Sequence, residues 1–193
     1  MDTAAQERSL INTSRVTVTV ILGTVTMTFG ALIAVFFYRS AAPKYWGHLQ
    51  IPHLLWLTTA LLLASSWTFE HARGRLEQHD QLGFHQWMRA TFALAIGFLA
   101  GQVASWFLLL KGGLVLANNP HSWFIFLFTG LHGAHILGGL VGIGYLLWRT
   151  REPASGPRFQ MYTRVISRGV GVCWHYLDFL WLVLFSLLLV WRR

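Results

Sequence analysis

The chain has 193 residues, of which 54% are hydrophobic and 11% are charged. Soluble domains average about 25% charged residues, so this composition excludes an ordinary soluble domain and favours a protein of the lipid bilayer. The formal net charge is +8, but the basic residues stand at the ends of apolar stretches and not in one patch with interleaved aromatics, which argues against nucleic-acid binding.

Five apolar stretches follow one another along the chain, at Val16–Tyr38, His53–Phe69, Ala90–Leu110, Trp123–Trp148 and Val170–Trp191. Most of them exceed the roughly 20 residues that cross a hydrocarbon core of about 30 Å. They show almost no polar face with a period of 3.6 residues, which a helix on the surface of a soluble bundle would have. The sequence predicts a single all-α membrane domain over residues 1–193, built as a bundle of five transmembrane helices. The first stretch is too long for the apolar core of a signal peptide, so it is predicted to remain in the protein.

The distribution of arginine and lysine predicts the orientation of this bundle. Ten basic residues fall on one side of the five stretches and five fall on the other. The side with ten holds Arg8, Arg15, Arg73, Arg75, Arg89, Arg149, Arg151, Arg158, Arg164 and Arg168, and the side with five holds Arg39, Lys44, Lys111, Arg192 and Arg193. The positive-inside rule therefore places the N-terminus in the cytoplasm and the C-terminus outside.

Small residues recur every fourth position in the third and fourth stretches. The third stretch carries Ala93, Gly97, Gly101 and Ser105, and the fourth carries Gly130, Ala134, Gly138 and Gly142. Such ridges let two helix backbones approach closely, which matters in lipid because burial of apolar surface no longer drives helix association. Both ridges are predicted to form helix contacts.

Histidines of the fourth stretch raise the question of a cofactor. His132 and His135 are three residues apart and face neighbouring turns. A carboxylate-bridged metal centre would also need several inward-facing Glu residues in a Glu-x-x-His pattern, which this sequence lacks. Cys173 is the only cysteine, so the chain alone builds no disulfide, iron–sulfur cluster or thiolate-based copper or zinc site. The histidines are therefore interpreted as hydrogen-bonding groups, with haem or metal binding kept as an alternative.

Polar residues also enter the last stretch, which reads VCWHYLDFLWLVLF. His175 and Asp178 are three residues apart there, and an acidic side chain within an apolar helix is costly unless it is paired. The two are predicted to form a hydrogen-bonded contact with His132 and His135 inside the bundle.

These strings together resemble the signature of subunit III of the haem-copper terminal oxidases. FLFTGLHGAHILGGL matches a helix with the pattern T-G-x-H-G-x-H-x-x-G, and WHYLDFLWLVLF matches the helix W-H-x-x-D-x-x-W that follows it. ALAIGFLAGQVASW is similar to a third helix of that family through Gln102 and Trp106, although Ser105 stands where the family has Glu. The Glu that longer members place near the start of the helix equivalent to His53–Phe69 is also missing, which puts roles such as proton gathering in doubt.

The resemblance covers roughly Pro52 to Trp191, and the five-helix plan is similar to the short bacterial form of the family, which lacks two N-terminal helices of the seven-helix form. It implies a supporting subunit of the bacterial plasma membrane, packed on oxidase subunits I and II and holding phospholipids between its helices. Haem and copper would belong to the partner subunits, with no cofactor in this chain. The complex would reduce dioxygen and translocate protons. The residues predicted to make structural, lipid or subunit contacts are His132, His135, Trp174, His175, Asp178 and Gln102, with no catalytic, cofactor-binding or metal-binding residue.

Three alternatives stay open from the sequence. An accessory subunit of a nitric oxide reductase is similar in length, helix count and motif. A cytochrome b-like membrane anchor would use facing histidines to bind haem and pass electrons to quinone. A transporter is disfavoured because no broken helix or internal repeat stands out.

Overall fold

A computed structural model gives the fold of residues 3–40, 53–111, 120–151 and 156–190. This part of the chain forms five helices: α1 (Thr3–Ser40), α2 (Leu54–Glu77), α3 (Gln81–Lys111), α4 (Pro120–Arg149) and α5 (Pro157–Val190). The predicted all-α bundle of five helices is confirmed. The helices extend beyond most of the apolar stretches because polar residues continue them past the hydrocarbon region. Trp191, Lys44, Arg192 and Arg193, on which parts of the sequence predictions rest, lie outside the described residues.

Four of the five described helices have the length and apolar composition of a membrane span, at Glu7–Ser40, Gln81–Lys111, Trp123–Arg149 and Phe159–Val190. Helix α2 is the least apolar of the five because its second half carries Glu70, Arg73, Arg75 and Glu77. Its first half has hydroxyl residues among the leucines. Thr58, Thr59, Ser65 and Thr68 are buried, and each donates a hydrogen bond to a backbone carbonyl three or four residues earlier. Such bonds satisfy a hydroxyl without water, so these residues suit a helix that is enclosed by others.

The helices are arranged as a ring of four with a fifth on its outside. Helices α2 and α3 form the most extensive pair, and contacts then run from α3 to α4, from α4 to α5 and from α5 back to α2. The centre of this ring is filled by large side chains that are fully buried, among them Phe69, Phe98, Ile136, Trp174 and Trp181. Polar groups within the ring are therefore shielded from lipid.

Helix α1 packs against the outside of the ring, mainly on α5. Its buried side chains are Val25, Phe29 and Phe36. Phe36 contacts α4 through ring pairs with Phe124 and Phe128, at centroid distances of 5.3 and 5.7 Å. The contact between α1 and α4 is otherwise slight, which leaves a cavity between α1, α4 and α5.

The turn between α2 and α3 is fixed by a helix cap. His79 has φ of 61°, a left-handed conformation that non-glycine residues adopt mostly in turns. Oδ1 of Asp80 then accepts a hydrogen bond from the backbone N–H of Gly83 at 2.9 Å, which satisfies one of the free N–H groups at the start of α3. This turn holds α2 and α3 as an antiparallel pair.

The orientation in the membrane stays a prediction, and α3 offers two positions that test it. Gln78 precedes α3 and Lys111 ends it, and both are exposed. Single cysteines at these positions, in a Cys173→Ser background, should react differently with an impermeant thiol reagent on intact cells. We expect labelling of Lys111→Cys and none of Gln78→Cys until the membrane is permeabilised, because the positive-inside rule places Gln78 in the cytoplasm. The reverse pattern would invert the topology.

Candidate functional site

The centre of the helix ring is a stack of aromatic rings around His132. The imidazole is fully buried, with the Phe98 ring 5.8 Å away and the Trp181 ring 5.1 Å away between centroids. Within the described part of the chain, neither ring nitrogen has a hydrogen-bond partner. His132 therefore acts as a packed aromatic group that joins α3, α4 and α5.

Three tryptophans connect neighbouring helices through their indole N–H groups. Trp181 donates to Oγ1 of Thr59 at 2.9 Å, and Trp174 donates to Oγ of Ser65 at 3.3 Å. On the opposite side of the ring, Trp106 donates to Oγ1 of Thr129 at 2.9 Å. Each acceptor hydroxyl in turn donates to a carbonyl of its own helix. A buried indole N–H thereby finds the partner that it needs in lipid.

Gln102 faces α2 in the same central region. Its side chain is buried, and Nε2 donates to Oγ1 of Thr58 at 3.4 Å, while Oε1 has no partner among the described residues. Ser105, one turn later, donates to the carbonyl of Gly101 at 2.8 Å. Gln102, which matches the family pattern, and Ser105, which stands where the family has Glu, thus both lie inside the helix ring.

His175 bonds to α2 with both ring nitrogens. Nδ1 lies 2.5 Å from Oγ of Ser66, and Nε2 lies 2.6 Å from Oε1 of Glu70. A carboxylate accepts hydrogen bonds, so Nε2 carries the proton and donates. Arg73 also donates to Glu70, at 2.7 Å. Ser66, Glu70 and Arg73 of α2 and His175 of α5 thus form a hydrogen-bonded network at the edge of the apolar region. Through His175 this network connects α5 to α2.

Asp178 lies beside His175 on α5, and no hydrogen bond joins it to the histidines of α4. It is 5% exposed, and its Oδ2 is 4.0 Å from Nδ1 of His175, which is too long for a hydrogen bond. The predicted shared contact of His132 and His135 with His175 and Asp178 does not form. The physical reason is helix rotation, because His175 turns toward α2, His132 toward the ring centre and His135 toward α1.

Two of the four small residues of α3, Gly97 and Gly101, lie against α2. A Cβ built on Gly97 would lie 3.6 Å from Cδ1 of Leu61, and one built on Gly101 would overlap the methyl group of Thr58. Ala93 is exposed, and Ser105 is buried. The close approach of α2 and α3 therefore depends most on Gly101.

The small residues of α4 face different neighbours, so they do not form one contact ridge. Gly130 packs against Trp106 of α3, Gly142 packs against Val170 of α5, and Ala134 lines the cavity between α1, α4 and α5. A Cβ on Gly138 would have no atom within 4 Å. Gly139, which the spacing did not single out, makes the closest approach, since its Cβ would lie 2.8 Å from Cζ3 of Trp174.

The cavity between α1, α4 and α5 has a volume of about 680 Å³. Its walls are mostly apolar, with Val18, Leu22 and Val170 among them, and His135 and Cys173 also line it. Gly138, Gly139 and Gly142 form a flat wall on α4. This is the part of the bundle that is open to a lipid-soluble molecule.

Several of these residues escaped the sequence reasoning. Glu70 and Ser66 bind His175, and the hydroxyl oxygens of Thr58, Thr59 and Ser65 accept hydrogen bonds from neighbouring helices. The available signal was the run of hydroxyl residues within the leucine-rich helix α2, which is atypical of a face exposed to lipid.

Among the described residues, His132, His135 and His175 face different neighbours and do not converge on one point. In the described ranges no group of three or more His, Cys, Asp or Glu side chains is placed to hold a metal ion. His175 uses both ring nitrogens within the protein, and His135 uses Nδ1 in a bond to the carbonyl of Leu131. These contacts pack the described helices together, and the cavity between α1, α4 and α5 offers space for a ligand from the membrane.

Comparison with known proteins finds several similar chains, and those described below are all named as the same oxidase subunit. The chain is 33% identical over 165 residues to cytochrome c oxidase subunit 3 of Synechocystis sp., which covers 82% of this chain and 66% of that protein. It is 29% identical over 169 residues to the probable cytochrome c oxidase subunit 3 of Nocardia farcinica, covering 83% and 79% of the two chains. It is also 28% identical over 176 residues to cytochrome c oxidase subunit 3 of Thermostichus vulcanus, covering 86% and 82%. No family model matches the chain.

Proposed function

The chain belongs to the subunit III family of the haem-copper oxidases, and we propose that it is a supporting subunit of a respiratory oxidase complex. The observation that carries this proposal is the identity of 28–33% with relatives of that name over most of the chain. The chain spans 66% of the length of the Synechocystis protein. From this kinship we propose that the complex reduces dioxygen and translocates protons.

The arrangement of polar groups supports a role without redox chemistry in this chain. The imidazoles of His132 and His175 are occupied by ring packing and by hydrogen bonds to α2. Haem and copper are accordingly assigned to the partner subunits I and II. The contribution of this chain is to pack on the catalytic subunit and to stabilise it during turnover.

The surface of the bundle supports a multi-pass location in the bacterial plasma membrane. Large apolar side chains are exposed on every described helix, for example Met27, Trp56, Phe107, Val141 and Phe179. Such a surface is unsuited to water and suits lipid tails or the apolar face of another subunit. Bound phospholipids are therefore proposed as partners together with subunits I and II.

The other functions considered from the sequence receive no such support. A haem-binding anchor requires facing histidines with free ring nitrogens at one depth, and His175 bonds through both of its nitrogens. The named relatives are oxidase subunits, which favours an oxidase over a nitric oxide reductase complex.

Removal of this chain from the purified complex tests the supporting role. We expect the initial rate of dioxygen reduction and the haem and copper content to be retained, because the redox centres lie in other subunits. Activity should then decline severalfold sooner during continuous turnover, since the catalytic subunit has lost a stabilising neighbour. Dioxygen consumption would be followed over many turnovers, with re-addition of the chain as the control. Loss of the first turnovers at unchanged haem and copper content would show a direct catalytic part.

A further inference from the structure

The cavity between α1, α4 and α5 holds a hydrogen-bond acceptor near the middle of the membrane. His135 lines this cavity and lies close to the centre of the span Trp123–Arg149. Its ring also contacts Phe29 of α1, at a centroid distance of 5.5 Å. The acceptor is therefore far from the water at either surface.

The tautomer of His135 follows from its one hydrogen bond. Nδ1 lies 2.7 Å from the carbonyl oxygen of Leu131, and a carbonyl accepts, so Nδ1 carries the proton. In the neutral imidazole Nε2 then presents a lone pair. Among the described residues no donor reaches that nitrogen. An unpaired acceptor in an apolar environment is costly, so it favours a ligand that donates a hydrogen bond.

Two hydroxyl groups near this depth, those of Thr26 and Tyr176, are paired with each other. The hydroxyl of Thr26 donates to the carbonyl of Leu22 at 2.6 Å, which leaves its oxygen to accept from the hydroxyl of Tyr176, also at 2.6 Å. A ligand at this level therefore meets His135 as the acceptor that needs a partner. The glycines of α4 provide a flat wall beside it, and at Gly138 the space is open.

We infer that this cavity binds a lipid-soluble aromatic alcohol of the hydroquinone class, whose hydroxyl donates to Nε2 of His135. Its ring would lie on the glycine wall beside the His135 imidazole, and its apolar tail would follow the apolar residues of α1 and α5. A phospholipid acyl chain would fill the apolar volume but leave Nε2 unpaired. The inference concerns a ligand of this chain itself and does not depend on the proposed role in an oxidase.

Two probes that differ in a single hydroxyl test the hydrogen bond without redox chemistry. 4-Dodecylphenol and dodecylbenzene would be titrated into nanodiscs that contain the full chain in its complex, with empty nanodiscs as the background. We expect the phenol to bind about tenfold more tightly, the ratio that one buried hydrogen bond supplies. His135→Phe should bring the ratio close to one, and His135→Gln, which keeps an acceptor, should restore part of it. Equal binding of the two probes by the wild-type chain would overturn the inference.

The location is tested with two glycines that both have open space. Gly138→Leu places a side chain in the cavity and should abolish binding of both probes. Gly23→Leu, on the outer face of α1 away from the cavity lining, should leave binding unchanged. Displacement of the bound phenol by decylhydroquinone but not by cholesterol would identify an aromatic alcohol and not an alicyclic one. Unchanged binding in Gly138→Leu, or displacement by cholesterol alone, would refute the proposed site or ligand.

Discussion

Trp181→Ala should lower the free energy of unfolding of the bundle more than any other single truncation. The indole is fully buried, and it contacts His132, Phe98 and Phe185 at centroid distances of 5.1 to 6.2 Å. Truncation of a buried Trp in a water-soluble core costs about 3–5 kcal/mol. We expect the free energy of unfolding to fall by about 3 kcal/mol, near the lower end of that range. Transfer of the apolar side chain out of the core costs less in lipid than in water, but the cavity that the missing indole leaves costs the same. Equilibrium unfolding in detergent micelles would measure it.

Two matched variants separate packing from hydrogen bonding at this position. Trp181→Phe keeps an aromatic ring but removes the N–H that donates to Thr59, and it should cost about 1 kcal/mol. Trp148→Ala removes an indole that is 66% exposed and should have a smaller effect than Trp181→Ala. If Trp181→Phe were as destabilising as Trp181→Ala, the hydrogen bond and not the aromatic stack would hold the helices together.

The helices were predictable from the sequence because apolar length is a strong signal in membrane proteins. Within the described residues, each of the five stretches falls on one helix. Helix ends were less predictable. Residues such as Thr3 to Arg15 and Pro157 to Gly169 continue α1 and α5 beyond the apolar stretches, and hydropathy does not register such polar extensions.

The identity of the polar residues was predictable, but their partners were not. His132, His135 and His175 were recognised because imidazoles are rare within apolar helices. Their contacts depend on how each helix is rotated about its own axis, and one sequence does not fix that rotation. His175 therefore forms hydrogen bonds with Glu70 and Ser66 of α2. The predicted hydrogen-bonded contact with His132 is not formed.

The glycine spacing shows the same limit. Every fourth residue lies on one side of a helix, but that side meets several neighbours along 30 residues of α4. Gly130 meets α3 and Gly142 meets α5, while Gly138 faces the cavity. In α3 the same spacing gives Gly97 and Gly101 a single neighbour, because α2 runs beside α3 along much of its length.

Gly101→Ala should destabilise the contact between α2 and α3. A Cβ at this position would overlap Cγ2 of Thr58. Thr58 does not move aside easily, since its hydroxyl donates to the carbonyl of Leu55 at 3.0 Å and accepts from Gln102, and a β-branched side chain has few rotamers in a helix. The two backbones must then separate, at an expected cost of about 1–3 kcal/mol. Unfolding in detergent and recovery of the assembled complex would both be measured.

A second substitution at Thr58 decides whether that methyl group is the cause. Thr58→Ser removes Cγ2 and keeps the hydroxyl bonded to Leu55 and Gln102, so it should recover most of the stability of Gly101→Ala. The double-mutant cycle should then give a coupling of about 1 kcal/mol or more between the two positions. Gly23→Ala, where a Cβ has no atom within 4 Å, serves as the control and should show no loss. Additive effects of Gly101→Ala and Thr58→Ser would mean that α2 and α3 do not approach each other through this glycine.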